Sequence, residues 1–212
     1  MAIDTIAYAV KYRFPTLFGF AYTFARAAAA VRHGRRRRSA LGAATLSGHV
    51  GALPGQIRPL DRRDVNVLHT FFARIPHEHL RHFHPHGVSQ HALRRVVQSP
   101  AYCCYGLFVD GQLSAYGLLK LAPWKRAYMG RLVLPDCVSR GMGKFLSRYL
   151  SWQSYLIGVV PGSTIHKENA VSLASHRAVR PIEIVEELPG GFYRVLYPVM
   201  EADMVPPVLE LP

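Results

Sequence analysis

The sequence has little cysteine, few acidic residues and no long apolar run. Its 212 residues include three cysteines, Cys103, Cys104 and Cys137. Adjacent cysteines pair poorly and an odd count leaves one over, so we predict no disulfide framework and expect a reducing, cytoplasmic setting. Only 13 acids accompany 26 lysines and arginines. A hydrophobic content of 50% is typical of a folded domain and excludes a disordered chain.

No segment is apolar enough to span a membrane as a helix. In residues 5–33, which are apolar and aromatic with scattered cations, the longest stretch without a charge is the 12 residues Phe14–Ala25. A spanning helix needs about 20 apolar residues. The pattern instead predicts a helix that runs from Pro15 to about Arg32 and ends at Gly34.

The positive charge is concentrated at the N-terminal end. Residues 1–58 hold nine cations and one acid, and four of these cations form the run Arg35–Arg38. Three interpretations of residues 1–40 are open: packing on the rest of the chain or a homodimer contact, peripheral binding to the anionic inner membrane surface, or binding to nucleic acid. The aromatic content favours a membrane over nucleic acid.

The composition divides the chain into three parts. The small residues of Ser39–Gly55 are typical of a linker, so residues 1–55 are predicted to form a basic, aromatic helical extension. Over residues 56–200, strand and helix patterns alternate in the order β α α β β β α β α β β. Strands joined by crossover helices predict an α/β (α+β) domain with a mixed sheet. The proline-rich residues 201–212 are predicted to be a loose tail.

A glycine-containing loop before a predicted helix is the most informative feature. The strand-like residues Ala127–Leu134 lead into Arg140-Gly141-Met142-Gly143-Lys144, where the helix starts. Unpaired amides, the helix dipole and two cations suit an anion such as a diphosphate. The spacing excludes a P-loop and a Rossmann motif. Taken alone, the two glycines are also compatible with an ordinary helix cap.

Two motifs resemble those of the GCN5-related N-acetyltransferases. Val138-Ser-Arg-Gly-Met-Gly143 resembles the family's [RQ]-x-x-G-x-[GA] loop, with Val138 at the first position. Asn169 to His176 resembles N-x-x-[AS]-x-x-[LY]-Y, with His176 in place of tyrosine, and Arg180-Pro181 follows where Gly-Phe is usual. The resemblance covers about residues 56–199. It implies a mixed sheet, flanked by helices, that splays between its fourth and fifth strands.

The resemblance also implies that acetyl-CoA binds in the gap of the sheet as a co-substrate. The residues expected to hold it are the main chain of Leu132, Val133 and Leu134, the amides of Arg140, Gly141, Met142, Gly143 and Lys144, and the side chains of Asn169 and Ser172. The implied reaction is direct transfer of an acetyl group to a primary amine. The alternative, which Val138 and His176 both permit, is a non-catalytic acyl-CoA-binding or adaptor module tethered by its basic N-terminus.

Two histidines are candidates for acid–base catalysis. His176 stands where the family has a tyrosine that protonates the leaving thiolate, and an imidazole can donate a proton near neutral pH. Packing of His176 on its helix face is an equal alternative. His166, at the end of a strand just before Asn169, is the candidate base, although a water chain or an acceptor that arrives neutral would also serve.

Five histidines lie within the ten residues from His77 to His86. The run lacks a recognised zinc-ligand pattern and has no cysteine nearby, so no metal is expected. His82, His84 and His86 are predicted to line the pocket of a small-molecule amine, and a polar loop with no site is the other interpretation. The sequence of Phe83–His86 resembles a segment of acetyltransferases from surface-glycan pathways. This resemblance makes an amino sugar or nucleotide-sugar the leading candidate acceptor.

Overall fold

An open sheet with helices on both faces organises the chain. The computed structural model describes residues 15–81, 83 and 85–212. The strands are β1 (Leu46–Val50), β2 (Leu53–Pro59), β3 (Tyr102–Val109), β4 (Gln112–Leu121), β5 (Arg126–Val133), β6 (Val160–His166), β7 (Glu183–Leu188), β8 (Phe192–Leu196) and β9 (Glu210–Leu211). The helices are α1 (Pro15–Gly42), α2 (Val65–Ala73), α3 (His77–Leu80), α4 (Gln90–Val97), α5 (Met142–Ile157) and α6 (Ala170–Arg177). In these residues the sheet order is β7-β8-β6-β5-β4-β3-β2-β1-β9.

Strong local signals place most elements where the sequence predicts them. Asp61 caps the turn before α2 by accepting a hydrogen bond from the Arg63 amide at 2.7 Å, and Ser89 caps α4. The β3–β4 hairpin turns at Asp110 and Gly111, which both have positive φ, as an Asp-Gly pair favours. β5 and β6 are parallel while β3, β4 and β5 are antiparallel neighbours. The predicted α/β fold with a mixed sheet is therefore confirmed.

Helix α1 runs past its predicted end at Gly34. One side of it is anchored to the sheet, because His33 hydrogen-bonds the Ala122 carbonyl at 3.0 Å and Arg37 donates to the Tyr102 carbonyl at 2.9 Å. A single glycine costs a helix only about 1 kcal/mol relative to alanine. These tertiary contacts offset that cost, and the helix continues to its end at residue 42.

The other side of α1 faces solvent. Phe24 and Val31 are exposed, as are Arg35 and Arg38. Among the residues that the structure describes, no helix combines the length and the apolar character needed to cross a membrane. The membrane or homodimer contact predicted for residues 1–40 falls partly outside the described residues and stays a prediction.

The stretch Ser39–Gly55, predicted to be a linker, contains β1 and the start of β2. The prediction is wrong here because glycine and other small residues weaken the strand pattern, while neighbouring strands fix the backbone. β1 pairs with β2 on one side and with β9 on the other. A Cβ at Gly48 would lie 1.9 Å from the Leu209 carbonyl oxygen, so the close approach of the last strand requires glycine. The predicted boundary at residue 56 thus falls inside β2.

The tail of residues 201–212, predicted to be loose, is attached to the sheet. Asp203 forms a buried ion pair with Arg180 at 2.5 Å. Leu209 is buried, and β9 adds a parallel strand to β1. A proline-rich composition suggested disorder, but these long-range contacts order the segment.

Candidate functional site

The sheet opens between β5 and β6. The two strands pair in parallel only from Arg126 to Tyr128 on β5, opposite residues 160–162 of β6. Just beyond, the Ser163 hydroxyl donates to the Met129 carbonyl at 2.7 Å. The rest of β5, up to Val133, keeps its pairing with β4, but no strand in the described part of the chain pairs with it on the β6 side. The splay that the sequence resemblance implied is therefore confirmed.

The loop after β5 leads into an uncapped helix start. Ser139 and Gly141 have φ values of 70° and 73°. Positive φ is uncommon for a residue other than glycine, and such strain is concentrated at functional sites. Among the residues that the structure describes, no side chain caps α5 at Gly141, and the first amides of a helix have no partner within it. With Arg140 and Lys144 exposed beside it, this helix start has the chemistry of an anion site.

The second glycine of the loop has a different use. A Cβ at Gly143 would lie 3.1 Å from Nη1 of Arg131. That guanidinium donates to the Gly143 carbonyl at 2.5 Å and to the Ser175 hydroxyl at 3.0 Å. Arg131 therefore joins α5 to α6 across the opened sheet. The sequence alone does not point to this residue, because a single arginine in a strand belongs to no motif.

Two residues predicted to contact the pantetheine arm shape the start of α6. The Oδ1 atom of Asn169 accepts a hydrogen bond from the Ser172 amide at 3.0 Å and so caps the helix. Ser172 itself is half-buried. Both lie on the helix that Arg131 reaches, and their contact with a cofactor stays a prediction.

His176, the candidate acid, is buried on α6. Its ring stacks on Tyr197, with centroids 5.1 Å apart and planes 12° from parallel. Burial, with the charges of Arg131 and Arg180, lowers its pKa to about 3. The side chain is therefore neutral near pH 7. A neutral imidazole is a much weaker acid than the imidazolium, and the stacking supports the packing alternative. The catalytic role of His176 stays a prediction.

The depressed pKa of His176 predicts acid sensitivity. Its stabilising contribution is present above the unfolded pKa of about 6.5 and is lost as the pH falls from there toward 3. We expect the free energy of unfolding to fall by about 2 kcal/mol more between pH 7 and 5 in the wild type than in His176→Phe, since 1.5 pH units below 6.5 correspond to roughly that amount. Urea denaturation at both pH values measures this. His49→Gln, which changes an exposed imidazole, is the control and should follow the wild type; equal losses in all three proteins would refute the buried neutral state.

His166, the candidate base, lies at the end of β6 on the sheet face opposite α5 and α6. Its ring packs edge-on against Phe192 at 4.8 Å, and its Nδ1 accepts a hydrogen bond from the Glu168 amide at 3.3 Å. By strand alternation, Tyr128 and Thr164 share that face. The structure thus puts His166 and His176 on opposite faces of the sheet.

His86 belongs to an aromatic cluster with Phe72, Phe83 and Tyr116. Its Nε2 lies 2.9 Å from the Tyr116 hydroxyl and its Nδ1 lies 2.9 Å from the Gly87 carbonyl oxygen. Both ring nitrogens therefore have partners inside the protein, and burial lowers the pKa of this imidazole. Contact with an acceptor stays a prediction for His86. The same prediction for His82 and His84 lies outside the described residues.

Comparisons with known proteins identify the fold. No protein-family model matches the sequence, and no curated protein matches it. Among solved structures, the GNAT domain of S. lividans PAT is 14% identical with a TM-score of 0.63, over 72% of this chain and 96% of that one. The PaiA N-acetyltransferase from Thermoplasma acidophilum, in complex with coenzyme A, is 16% identical with a TM-score of 0.55, over 68% and 98%. AAC(6')-Ib, in complex with paromomycin and acetyl-CoA, is 12% identical with a TM-score of 0.55, over 70% and 94%. At these identities the likeness establishes the fold.

Proposed function

We propose that this chain, which has the fold of the GCN5-related N-acetyltransferases, transfers an acetyl group from acetyl-CoA to a primary amine. The observation that carries the proposal is the opened sheet, in which an unpaired edge of β5 leads directly to an uncapped helix start at Gly141. Acetyl-CoA offers a matching pair of groups: an extended arm with amides and a diphosphate. The neighbours solved with coenzyme A or acetyl-CoA support the same assignment.

The edge of β5 and the start of α5 would each hold a different part of the co-substrate. Main-chain groups of residues 132–134 would pair with the amides of the pantetheine arm, as a strand edge pairs with an added strand. The amides of residues 140–144 would hold the diphosphate, where the helix dipole favours negative charge. Asn169 and Ser172, at the start of α6, would close the other side. When bound, acetyl-CoA supplies the activated acyl group.

The chain would then need to position an amine and manage its protons. The candidate base, His166, and the hydroxyl of Tyr128 lie on the face opposite the two cofactor helices. We propose that the acceptor approaches from that face, because α5 covers β5 and β6 on the other one. A small amine such as an amino sugar or nucleotide-sugar is the leading candidate, and the neighbour that holds paromomycin supports a sugar amine.

The three free thiols suit a reducing, cytoplasmic compartment.

Calorimetric titration of the wild type with acetyl-CoA tests the proposal. We expect one site per chain and a rise in melting temperature that grows with acetyl-CoA concentration, since a ligand that binds only the folded state stabilises it. An amine panel led by amino sugars, read by release of the coenzyme A thiol, then tests turnover. Absence of binding at millimolar acetyl-CoA would contradict the proposed function.

The neutral, stacked state of His176 favours one alternative, a non-catalytic acyl-CoA-binding module. This alternative predicts acetyl-CoA binding without thiol release on any amine. It also predicts that His176→Phe binds acetyl-CoA as the wild type does. Turnover of any amine, at a rate above hydrolysis, would exclude it.

A further inference from the structure

We propose that Arg131 is an anion-binding residue of the acyl-CoA cleft, which receives a negative charge of the bound co-substrate. The inference rests on the proposed function for the identity of the ligand. It rests on the structure for the charge, the position and the incomplete hydrogen bonding of the guanidinium. No sequence motif includes this residue.

The guanidinium of Arg131 has only neutral partners. It donates to the Gly143 carbonyl and the Ser175 hydroxyl, and among the described residues no carboxylate forms an ion pair with it. Its Nε is buried and finds no acceptor in the described part of the chain. Three other arginines with partly or fully buried side chains do have a carboxylate partner: Arg58 pairs with Asp64, Arg180 with Asp203, and Arg194 with Glu186.

A half-buried cation without a counter-ion is costly. Burial lowers the pKa of Arg131, which reflects the loss of solvation of its charged form. A protein can retain such an unpaired charge where a ligand of opposite sign binds beside it. The protein without ligand is then less stable. The position of Arg131 fits this explanation, because it lies on the separated part of β5 between the two helices predicted to hold acyl-CoA.

The groups around Arg131 leave its charge unbalanced. His176 and Tyr197 are both buried and uncharged near pH 7, since burial lowers the pKa of the first to about 3 and raises the pKa of the second. The charge of Arg180 is balanced by Asp203 at 2.5 Å. On α5, the partner of Arg131 is the Gly143 carbonyl. An incoming anion would therefore meet one net positive charge.

Two anions fit the reacting end of an acyl-CoA. When an amine attacks the thioester, the acyl carbon forms a bond to nitrogen and its bond to sulfur breaks. The electron pair of that bond goes to sulfur as a thiolate, and the amine loses a proton to base or solvent. Arg131 would hold this thiolate. The other source is the free carboxylate of an acyl group such as succinyl. In that case Arg131 would select which acyl chain is bound.

Titrations with three ligands distinguish these sources. Coenzyme A, acetyl-CoA and succinyl-CoA are titrated between about pH 6.5 and 9.5, a range that brackets an ordinary thiol pKa of about 8.5. Wild type is compared with Arg131→Gln and with Arg126→Gln, which changes an exposed arginine of the same strand. A bound thiolate predicts that coenzyme A binds wild type roughly tenfold more tightly as the pH rises, while acetyl-CoA does not. A carboxylate predicts that succinyl-CoA binds roughly tenfold more tightly than acetyl-CoA.

Either preference supports the proposal if Arg126→Gln keeps it and Arg131→Gln loses it. The proposal is overturned if Arg131→Gln binds all three ligands with wild-type affinities and wild-type pH dependence. If the wild type binds none of the three, the proposed function fails and this inference fails with it. That outcome is distinct from a failure confined to Arg131.

Thermal unfolding without ligand separates anion binding from a structural role. Removal of a half-buried charge without a counter-ion should leave the melting temperature of Arg131→Gln unchanged or raise it, by up to about 2–4 °C. A bridge that merely joined α5 to α6 would instead lose stability on substitution. A lowered melting temperature together with wild-type ligand binding would therefore also overturn the proposal.

Discussion

Gly141→Glu is expected to weaken acetyl-CoA binding by about 100-fold or more. The new carboxylate would lie at the start of α5, where the amides and the helix dipole are proposed to hold a diphosphate. Like charges brought together in a binding site cost several kcal/mol, and each 1.4 kcal/mol is a factor of ten in affinity. A Cβ at Gly141 would meet only ordinary contacts, with its nearest neighbour, the Leu211 Cδ2 atom, at 3.5 Å. There is therefore room for the side chain, and the cost to the fold is the strain of a residue other than glycine at a φ of 73°.

Gly190→Glu is the matched control for this variant. Gly190 has a φ of 79°, close to the 73° of Gly141, and lies in the β7–β8 turn, where the nearest neighbour of a Cβ is the Phe192 Cδ2 atom at 3.7 Å. Strands β7 and β8 are at the opposite end of the sheet from β9, whose Leu211 lies beside Gly141. Both variants therefore carry comparable backbone strain and the same added charge. Calorimetry should show wild-type affinity for Gly190→Glu. Equal affinities in the two variants would place the diphosphate elsewhere.

Asp203→Ala is expected to lower the free energy of unfolding by about 3–5 kcal/mol. The side chains of Asp203 and Arg180 are each 4% exposed and 2.5 Å apart. Removal of one partner leaves the other as a buried unpaired charge, which is the costly case for ion pairs. Asp203 also accepts a hydrogen bond from the Met200 amide at 2.9 Å, so the turn that begins the last segment loses its anchor as well.

Urea denaturation measures this loss, with Glu210→Ala as control. Glu210 is an acid of the same segment whose pair with His49 is exposed, and exposed pairs contribute at most about 1 kcal/mol. The double variant Arg180→Met/Asp203→Leu removes both charges and should recover most of the lost stability. A loss below about 1 kcal/mol in Asp203→Ala would show that the pair does not hold the segment.

The sequence predicts this fold well wherever a short-range signal is strong. The Asp110-Gly111 turn and the caps Asp61 and Ser89 are each decided by backbone geometry within a few residues. The strand β1 and the last segment have no such signal. Their order comes from pairing between β1 and β9 and from the ion pair of Asp203, and the two partners in each case are far apart in the chain. Such pairings are not visible in local composition.

The candidate site also has one part that the sequence predicts and another that it does not. The loop around Gly141 was found because its spacing reflects a local backbone requirement, a helix start with positive φ. Arg131 cannot be predicted in this way, because its importance depends on what surrounds it in the described part of the chain: two helices, a neutral histidine and no carboxylate. The sequence also left open whether His176 is an acid or a packing residue. Its stacking on Tyr197 depends on residues after β8, which no spacing rule connects to α6.

The parallel pairing of β9 with β1 has a practical consequence for work with this protein. It brings the chain to the helix start that is proposed to bind diphosphate, since a Cβ at Gly141 would lie 3.5 Å from Leu211 and 3.7 Å from Pro212. A purification tag or fluorescent fusion attached after Pro212 would start right beside that loop. A polyhistidine or an acidic epitope there would change the local charge and compete for the same space. Reagents for affinity measurement are better attached at the opposite edge of the sheet, for example through an engineered residue at the exposed Val31 of α1.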